Sequence, residues 1–308
     1  GSTTDVHPAF ADRVLRLYAL GRPNSPNDPD GHGTHMAGSV LADGDSAVLG
    51  HKVRGTAPKA KLILQSVLDS RGGLGGLPDD LGDLFLAPYQ NDDARIHTNS
   101  WGSVVGNGAY SSNSRELDDF VWKHRDFVVC FSAGNEANDV DANGRVRERS
   151  ATPPGTAKNC ITVGASENLR PEITRTDGSI GPPDFPADPI RSDKVADDAE
   201  GMVAFSGRGP TADGRIKPDV VAPGTFILST RSRATADNGW RLSSDQLYFF
   251  MGGTSMATPL VAGCVALVRE FLAREHGIAH PSAALVKALL INGATNLDGQ
   301  YTPSEAGR

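Results

Sequence analysis

Three short stretches set reactive side chains beside glycine. GHGTHMAGSV brings His32 and His35 to the start of a helical pattern, SAGNE brings Ser132 and Asn135 to the end of an apolar run, and GGTSMATP puts Ser255 where another helix begins. A histidine can take up and return a proton near neutral pH. A serine at a helix N-terminus has free backbone N–H groups and the positive end of the dipole beside it, which favour developing negative charge. A side-chain amide delivered to the C-terminal end of a strand, as Asn135 is, can donate a hydrogen bond to an oxyanion. Taken singly, each stretch has a plainer reading: a satisfied polar helix start, a Ser or Thr N-cap, a Gly-Asn turn. His32 and His35 are three apart, without the four-residue spacing and the glutamate of a helical zinc-hydrolase site.

The elements that must position these groups alternate. The apolar runs KLILQSVL, ARIHTNS, DFVVCFSA and CITVGA read as buried strands, with helical patterns after His35, over residues 79 to 89 and from Ser114. This order predicts an α/β fold: three layers, with a mostly parallel twisted sheet and helices on both faces. Two further helices close the chain, one from Ser255 to a stop at Gly277 and one from Ser282. The first is apolar nearly all round as far as Val268, as expected of a helix crossing the interior. Pro259 is expected in its first turn, where a missing N–H is tolerated. Residues 172 to 201, rich in Pro, Asp and Ser, read as a long surface excursion. No repeat or linker divides the chain, so one domain over residues 1 to 308 is expected.

A formal charge of -7 argues against general nucleic-acid binding. No apolar run reaches the roughly 18 to 20 residues of a membrane span, and the first residues lack the charged and apolar regions of a signal segment. Cys130, Cys160 and Cys264 do not form a disulfide framework; each lies in an apolar run and reads as a buried thiol.

HGTHMAG, SAGN and GTSMATP, in that order and each at an element end, resemble the subtilisin-like serine proteases. TNSWG, FSGRGPT, IKPDV and VVAPG share the likeness. LYALGR, GGLGGLP, ENLRP and APGTFILS look most like the high-alkaline, oxidatively stable branch from bacilli, in which a small β-barrel domain follows the catalytic one. The resemblance implies a secreted serine endopeptidase, expected to be an extracellular monomer acting on proteins and peptides, with a propeptide inhibitor among its partners. It makes Ser255 the nucleophile, His32 the general base and later acid, and Asn135 an oxyanion donor beside the Ser255 N–H. His35 becomes structural. Ser100, Trp101 and Gly102 are the expected edge of a substrate cleft, with Gly72, Gly73 and Leu74 opposite. Ser132, Ala133 and Gly134, with part of the ATPPGTAKN stretch, wall the primary pocket. A preference for medium or large uncharged side chains follows, since no carboxylate is committed to the pocket floor.

Calcium is common in this superfamily, and two acidic loops are candidates. DVDANG offers Asp139, Asp141 and Asn143 in the first half of an EF-type spacing, although Ser150 stands where that loop has glutamate. SDKVADDAEG offers Asp193 and Asp197. The family's triad also needs a buried aspartate at the end of a strand of the form Val-Ala-Val-x-Asp-Ser/Thr-Gly, followed by a His-Pro-like turn. VHPAF matches the turn, but Gly1 to Thr4 cannot form the strand and Asp5 stands too close to His7. The expectation is a catalytic domain trimmed at both ends, lacking its aspartate strand and its extreme C-terminal part. The alternative function is then a catalytically impaired, peptide-binding fragment.

Overall fold

The computed structural model describes residues 6–297. Asp5 lies outside them. A 3-10 turn at Pro8–Phe10 opens the described chain, with His7 as its cap: His7 Nδ1 accepts from the Ala9 N–H at 3.1 Å. Strand β1 (Val14–Ala19), helix α1 (His32–Leu41), the hairpin β2 (Asp43–Ser46) and β3 (His51–Arg54), and strand β4 (Leu62–Ser66) follow. β1 pairs with β4 in parallel. Helix α2 (Leu81–Asn91), β5 (Ile96–Asn99), α3 (Ser112–Lys123), β6 (Val128–Ser132) and β7 (Ile161–Ser166) come next. After a short helix α4 (Asp177–Ile180) comes β8 (Val220–Pro223), and β5-β6-β7-β8 form one parallel sheet in that order. β9 (Ile227–Thr230), β10 (Arg241–Leu242) and β11 (Tyr248–Met251) make a small antiparallel sheet, and α5 (Thr254–His276) and α6 (Ala283–Asn292) end the described fold.

The expected α/β class is realised. β6 and β7 are buried along their whole length, which is why they read as unbroken apolar runs rather than alternating ones. α5 packs on β5, β6, β7 and β8 and on α1. Its buried residues are dense from Thr254 to Val265 and reduce to Leu272 beyond, matching the change in composition near Val268. It stops at Gly277, whose φ of 67° is the left-handed cap conformation. By length and composition α5 also qualifies as a membrane-crossing helix, which its separate apolar runs do not reveal because Thr, Ser and Gly interrupt them. Half of its most apolar window is inside the protein.

Several expectations change. Pro259 is not in the first turn of α5 but six residues in, so the carbonyl of Ser255 loses its helical N–H partner. The excursion from 172 to 201 is not only surface: Ile173, Asp177, Phe185, Ile190, Val195 and Ala196 are buried in it. Cys130 and Cys160 are buried, but Cys264 is partly exposed. The parallel strands also fall into two groups. β4 and β5 are not hydrogen-bonded to each other, and a cavity of about 660 Å³ lies between them, lined by residues 62–68 and 94–101. A side-chain contact spans it, His97 Nε2 to Gln65 Oε1 at 2.7 Å.

Candidate active site

His32 is the first residue of α1. Gly31 before it has a φ of 89°, and a Cβ there would press on the Thr235 side chain at 3.0 to 3.3 Å, so both backbone and space call for glycine. Asp28 fastens this helix start. One carboxylate oxygen accepts from the Gly31 N–H at 2.9 Å, and the other from the N–H and the hydroxyl of Thr34, both at 2.7 Å. The imidazole of His32 makes no hydrogen bond with any described residue. Burial lowers its pKa, against the opposing pull of the Asp30 and Asp28 carboxylates. His35, one turn on, is fully buried, contacts the Ile227 carbonyl through Nε2 at 3.0 Å and meets Phe249 edge-on. Burial drives its pKa down to about 3, so it stays neutral, in keeping with a structural residue.

Ser255 is the second residue of α5, after Gly253. Its own N–H lies among the first-turn donors that an α-helix leaves without intrahelical partners. Asn135 follows β6, and its Oδ1 accepts from the backbone N–H and the hydroxyl of Thr254 at 2.9 and 3.0 Å. With the oxygen held there, Nδ2 is free of Thr254 and lies beside Gly253, the nearest atom that a Cβ there would meet, at 3.3 Å. Thr254 therefore sets the flip of Asn135, a role the sequence did not suggest because Thr254 reads as an ordinary helix cap. The carbonyl freed by Pro259 is also used: Ser100 Oγ donates to Ser255 O at 2.9 Å, and Ser255 Oγ donates to Ser100 O at 3.2 Å. This reciprocal pair joins the end of β5 to the start of α5. α1 joins α5 through Met36, which packs with Ile227 and the fully buried Met256.

The expected cleft residues are distributed as follows. Ser132 and Ala133 are buried at the end of β6, and Gly134 takes a φ of 94° where a Cβ would strike the Thr152 side chain at 2.5 Å. The Thr152 N–H donates to Ala133 O, and the Ser103 N–H to Pro153 O, so the loop from Ala151 holds the ends of both strands. Trp101 meets Phe131 edge-on at 4.9 Å, and Gly102 is exposed. Gly72, Gly73 and Leu74 lie in an exposed loop turned by Asp69, which accepts from the N–H groups of Arg71 and Gly73. Leu74, His32, Ser100 and Trp101 all line the cavity between β4 and β5.

The acidic loops differ from each other. Asp139 is buried, but its two oxygens accept from the N–H groups of Asn143 and Gly144, and Asn143 Oδ1 accepts from the Arg145 N–H. Asp141 is exposed. In the excursion, Asp197 pairs with Lys194 at 3.6 Å, and Asp193 lies near two buried carboxyls that the sequence pattern did not flag, Glu167 and Asp177. Burial, with the Asp193 charge second, raises both to about 8. Asp177 Oδ1 is buried without a hydrogen-bond partner. Among the described residues, no cluster of three or more His, Cys, Asp or Glu side chains is already gathered as a metal site.

A parallel sheet with its reactive groups at strand ends, a serine in the first turn of an interior helix, and an amide aimed beside it define a hydrolase fold of the subtilisin type. The subtilase family profile matches residues 13–308, and the chain belongs to that family. It is 31% identical to the serine protease AprX of Bacillus subtilis over 86% of this chain and 54% of that protein. It is 29% identical to the serine protease/ABC transporter B family protein tagD of Dictyostelium discoideum, over 88% of this chain and 18% of that one. The chain thus spans about half or less of these relatives. Among solved structures, the S41 psychrophilic protease superposes with a TM-score of 0.60 at 26% identity, over 93% of this chain and 78% of that one.

Proposed function

We propose that this chain is the catalytic domain of a secreted serine endopeptidase, cleaving extended peptides through an acyl-enzyme on Ser255. The observation that carries the reading is the donor set around Ser255: the Asn135 amide, turned by Thr254, and the Ser255 N–H in the first turn of α5. Ser255 Oγ attacks the scissile carbonyl while His32 takes its proton and returns it to the leaving amine. The carbonyl oxygen gains charge between Asn135 Nδ2 and the Ser255 N–H, and water then repeats the sequence on the ester. The substrate lies as a strand between 100–102 and 72–74, its side chain entering between 100–102, 132–134 and Thr152. Extracellular action as a monomer, a propeptide laid in the same groove, and kinship with the high-alkaline bacillar branch belong to this reading. Mass mapping after treatment with a fluorophosphonate tests it: the label belongs on Ser255, and a folded chain left unlabelled there would sink the proposal.

The carboxylate that orients His32 comes, in this reading, from an extended segment held between β4 and β5. A strand about five residues long seated there would displace the His97–Gln65 contact, pair on both sides and reach the wall that holds His32. A second reading is a chain that binds peptide but turns over slowly on its own. It is favoured by the His32 ring, free of hydrogen bonds to described residues, and by the Ser255 hydroxyl, which donates to Ser100 O rather than to His32.

Two substitutions probe the oxyanion site. Asn135→Ala is expected to lower turnover by about a hundred- to a thousand-fold, the cost of losing the equivalent asparagine donor in subtilisin itself. Thr254→Val removes one neutral hydrogen bond to Asn135 and is expected to lower kcat by about three- to tenfold with KM unchanged. An unchanged kcat in Thr254→Val would remove the orienting role.

Calcium is proposed as a structural ion. The 139–144 loop fits it poorly, since backbone N–H groups occupy the carboxylate oxygens of Asp139. The excursion fits better: Asp177 holds a buried oxygen with no partner, and Asp193 and Asp197 lie on the same segment. Calcium is expected to raise the melting temperature and chelator to lower it, with Asp177→Asn abolishing the difference. A melt indifferent to both removes the proposal.

A further inference from the structure

Asn-Gly occurs four times in the chain, at 107–108, 143–144, 238–239 and 292–293. Such pairs are labile, because glycine puts no side chain between its nitrogen and the neighbouring amide carbonyl. The fold treats them differently. The Gly108 N–H is spent on Ala151 O at 2.7 Å and the Gly293 N–H on Leu289 O at 2.9 Å, so each points at a neutral carbonyl. The Gly239 N–H points at the carboxylate of Asp237, which stands exposed in solvent. At 143–144 the arrangement is more complete. The Gly144 N–H donates to Oδ2 of the buried Asp139 at 2.8 Å, and Asn143 Oδ1 accepts from the Arg145 N–H at 3.0 Å. That second bond closes an Asx turn, which folds the side-chain carbonyl back over the peptide bearing the Gly144 nitrogen.

These contacts supply each part of an amide exchange: a nucleophilic nitrogen, a carboxylate positioned to take its proton, and a donor on the oxygen that gains charge. We propose that Asn143 is a self-modification site, at which the native fold converts the asparagine to aspartate and isoaspartate. Gly144 N bonds to Asn143 Cγ as its proton passes to Asp139 Oδ2, and the oxygen gains charge against the Arg145 N–H. Asp139 returns the proton to Nδ2, the Cγ–Nδ2 bond breaks, and ammonia leaves behind a closed succinimide ring. Water, which reaches the exposed Asn143, opens that ring at either carbonyl. Opening toward isoaspartate routes the main chain through an extra methylene. The loop has no room for it: a Cβ on Gly144 would overlap the Asp188 carbonyl, and the Asp139 N–H is tied to Asp184 O at 2.8 Å. Modification therefore loosens the excursion from the loop that follows Asn135.

Peptide mapping by mass on the full chain tests this, with Ser255→Ala in place to prevent self-cleavage. After incubation in neutral buffer, conversion at 143 is expected to run at least about tenfold faster than at 107 or 292, a modest share of what positioned proton transfer contributes. In urea the pairs share only their common dipeptide, and the lead of 143 is expected to vanish. Asp139→Asn is expected to slow conversion at 143 by about a hundredfold. Should that variant fail to fold, the comparison of native with urea-unfolded chain still decides. Equal rates at 143 and 107 in the folded chain, a lead that survives urea, or an unchanged rate in folded Asp139→Asn overturns the proposal. The converted fraction, separated by its added negative charge, is expected to melt below the parent. A melting temperature equal to the parent's refutes the loosening of the excursion.

Discussion

A peptide built on Val-Ala-Val-x-Asp-Thr-Gly is expected to raise the rate of peptide hydrolysis by this chain about ten-thousandfold, the size of the loss when a subtilisin-type triad lacks its aspartate. The expectation starts from backbone chemistry. β4 and β5 present edges that are not laddered to each other across a cavity of about 660 Å³, and an extended peptide satisfies both. Once seated, its aspartate lies on the side of the cleft where His32 stands, and there it fixes the imidazole tautomer and stabilises the imidazolium. The pH profile gives a second check. Burial holds His32 below its ordinary pKa, so the rising limb of the chain alone is centred below pH 6.5. Asp30 and Asp28 are the acidic groups already acting on it. An added carboxylate stabilises the protonated form, so the rising limb moves to higher pH when peptide is bound. The matched Asn peptide binds equally and leaves both rate and limb where they were. If the Asp peptide binds without raising the rate, the cleft does not serve His32.

Ser255→Ala costs different amounts in the two states. In the complemented chain the loss is about a millionfold, because nucleophile, base and carboxylate act as a unit. In the proposed reading most of that unit is idle until the peptide is added. In the chain alone the same substitution costs only about a hundredfold, the ratio of the serine and aspartate losses in subtilisin. Initial rates of wild type and Ser255→Ala, each with and without peptide, form a four-way comparison. Equal costs in both states would show that the added strand and Ser255 do not cooperate.

The sequence announced this site through punctuation. His32, Asn135 and Ser255 each stand within two residues of a glycine at the end of a periodic segment, and the strands behind them, FVVCFS and ITVGAS, are buried on all sides and so unmistakably apolar. β1 was less visible: Leu15 is 54% exposed beside the exposed Arg16, and the other four residues are all half-buried, so VLRLYA lacks the inward alternation that marks a strand. Thr254 and Pro259 were recognised as helix residues, but their partners, Asn135 and Ser100, are more than a hundred positions away. No local pattern records that one turns an amide and the other frees a carbonyl. The excursion misled through composition, because its Pro, Asp and Ser suggest a solvated loop while tertiary enclosure buries Asp177, Phe185 and Val195. Met256, beside the nucleophile, proves 1% exposed, set against Met36 on α1.

That cluster of Met36, Ile227 and Met256 ties chemistry to mechanical integrity. His32, the proposed base, rides on α1 and Ser255, the proposed nucleophile, on α5, and the two helices meet in the interior rather than through a surface loop. Loosening of that seam by heat, by oxidation of either thioether or by a smaller side chain at Met36 separates proton acceptor from hydroxyl before the sheet comes apart. Turnover should then fail at a lower temperature than secondary structure does, so that the proposed activity serves as an early gauge of wear in the core.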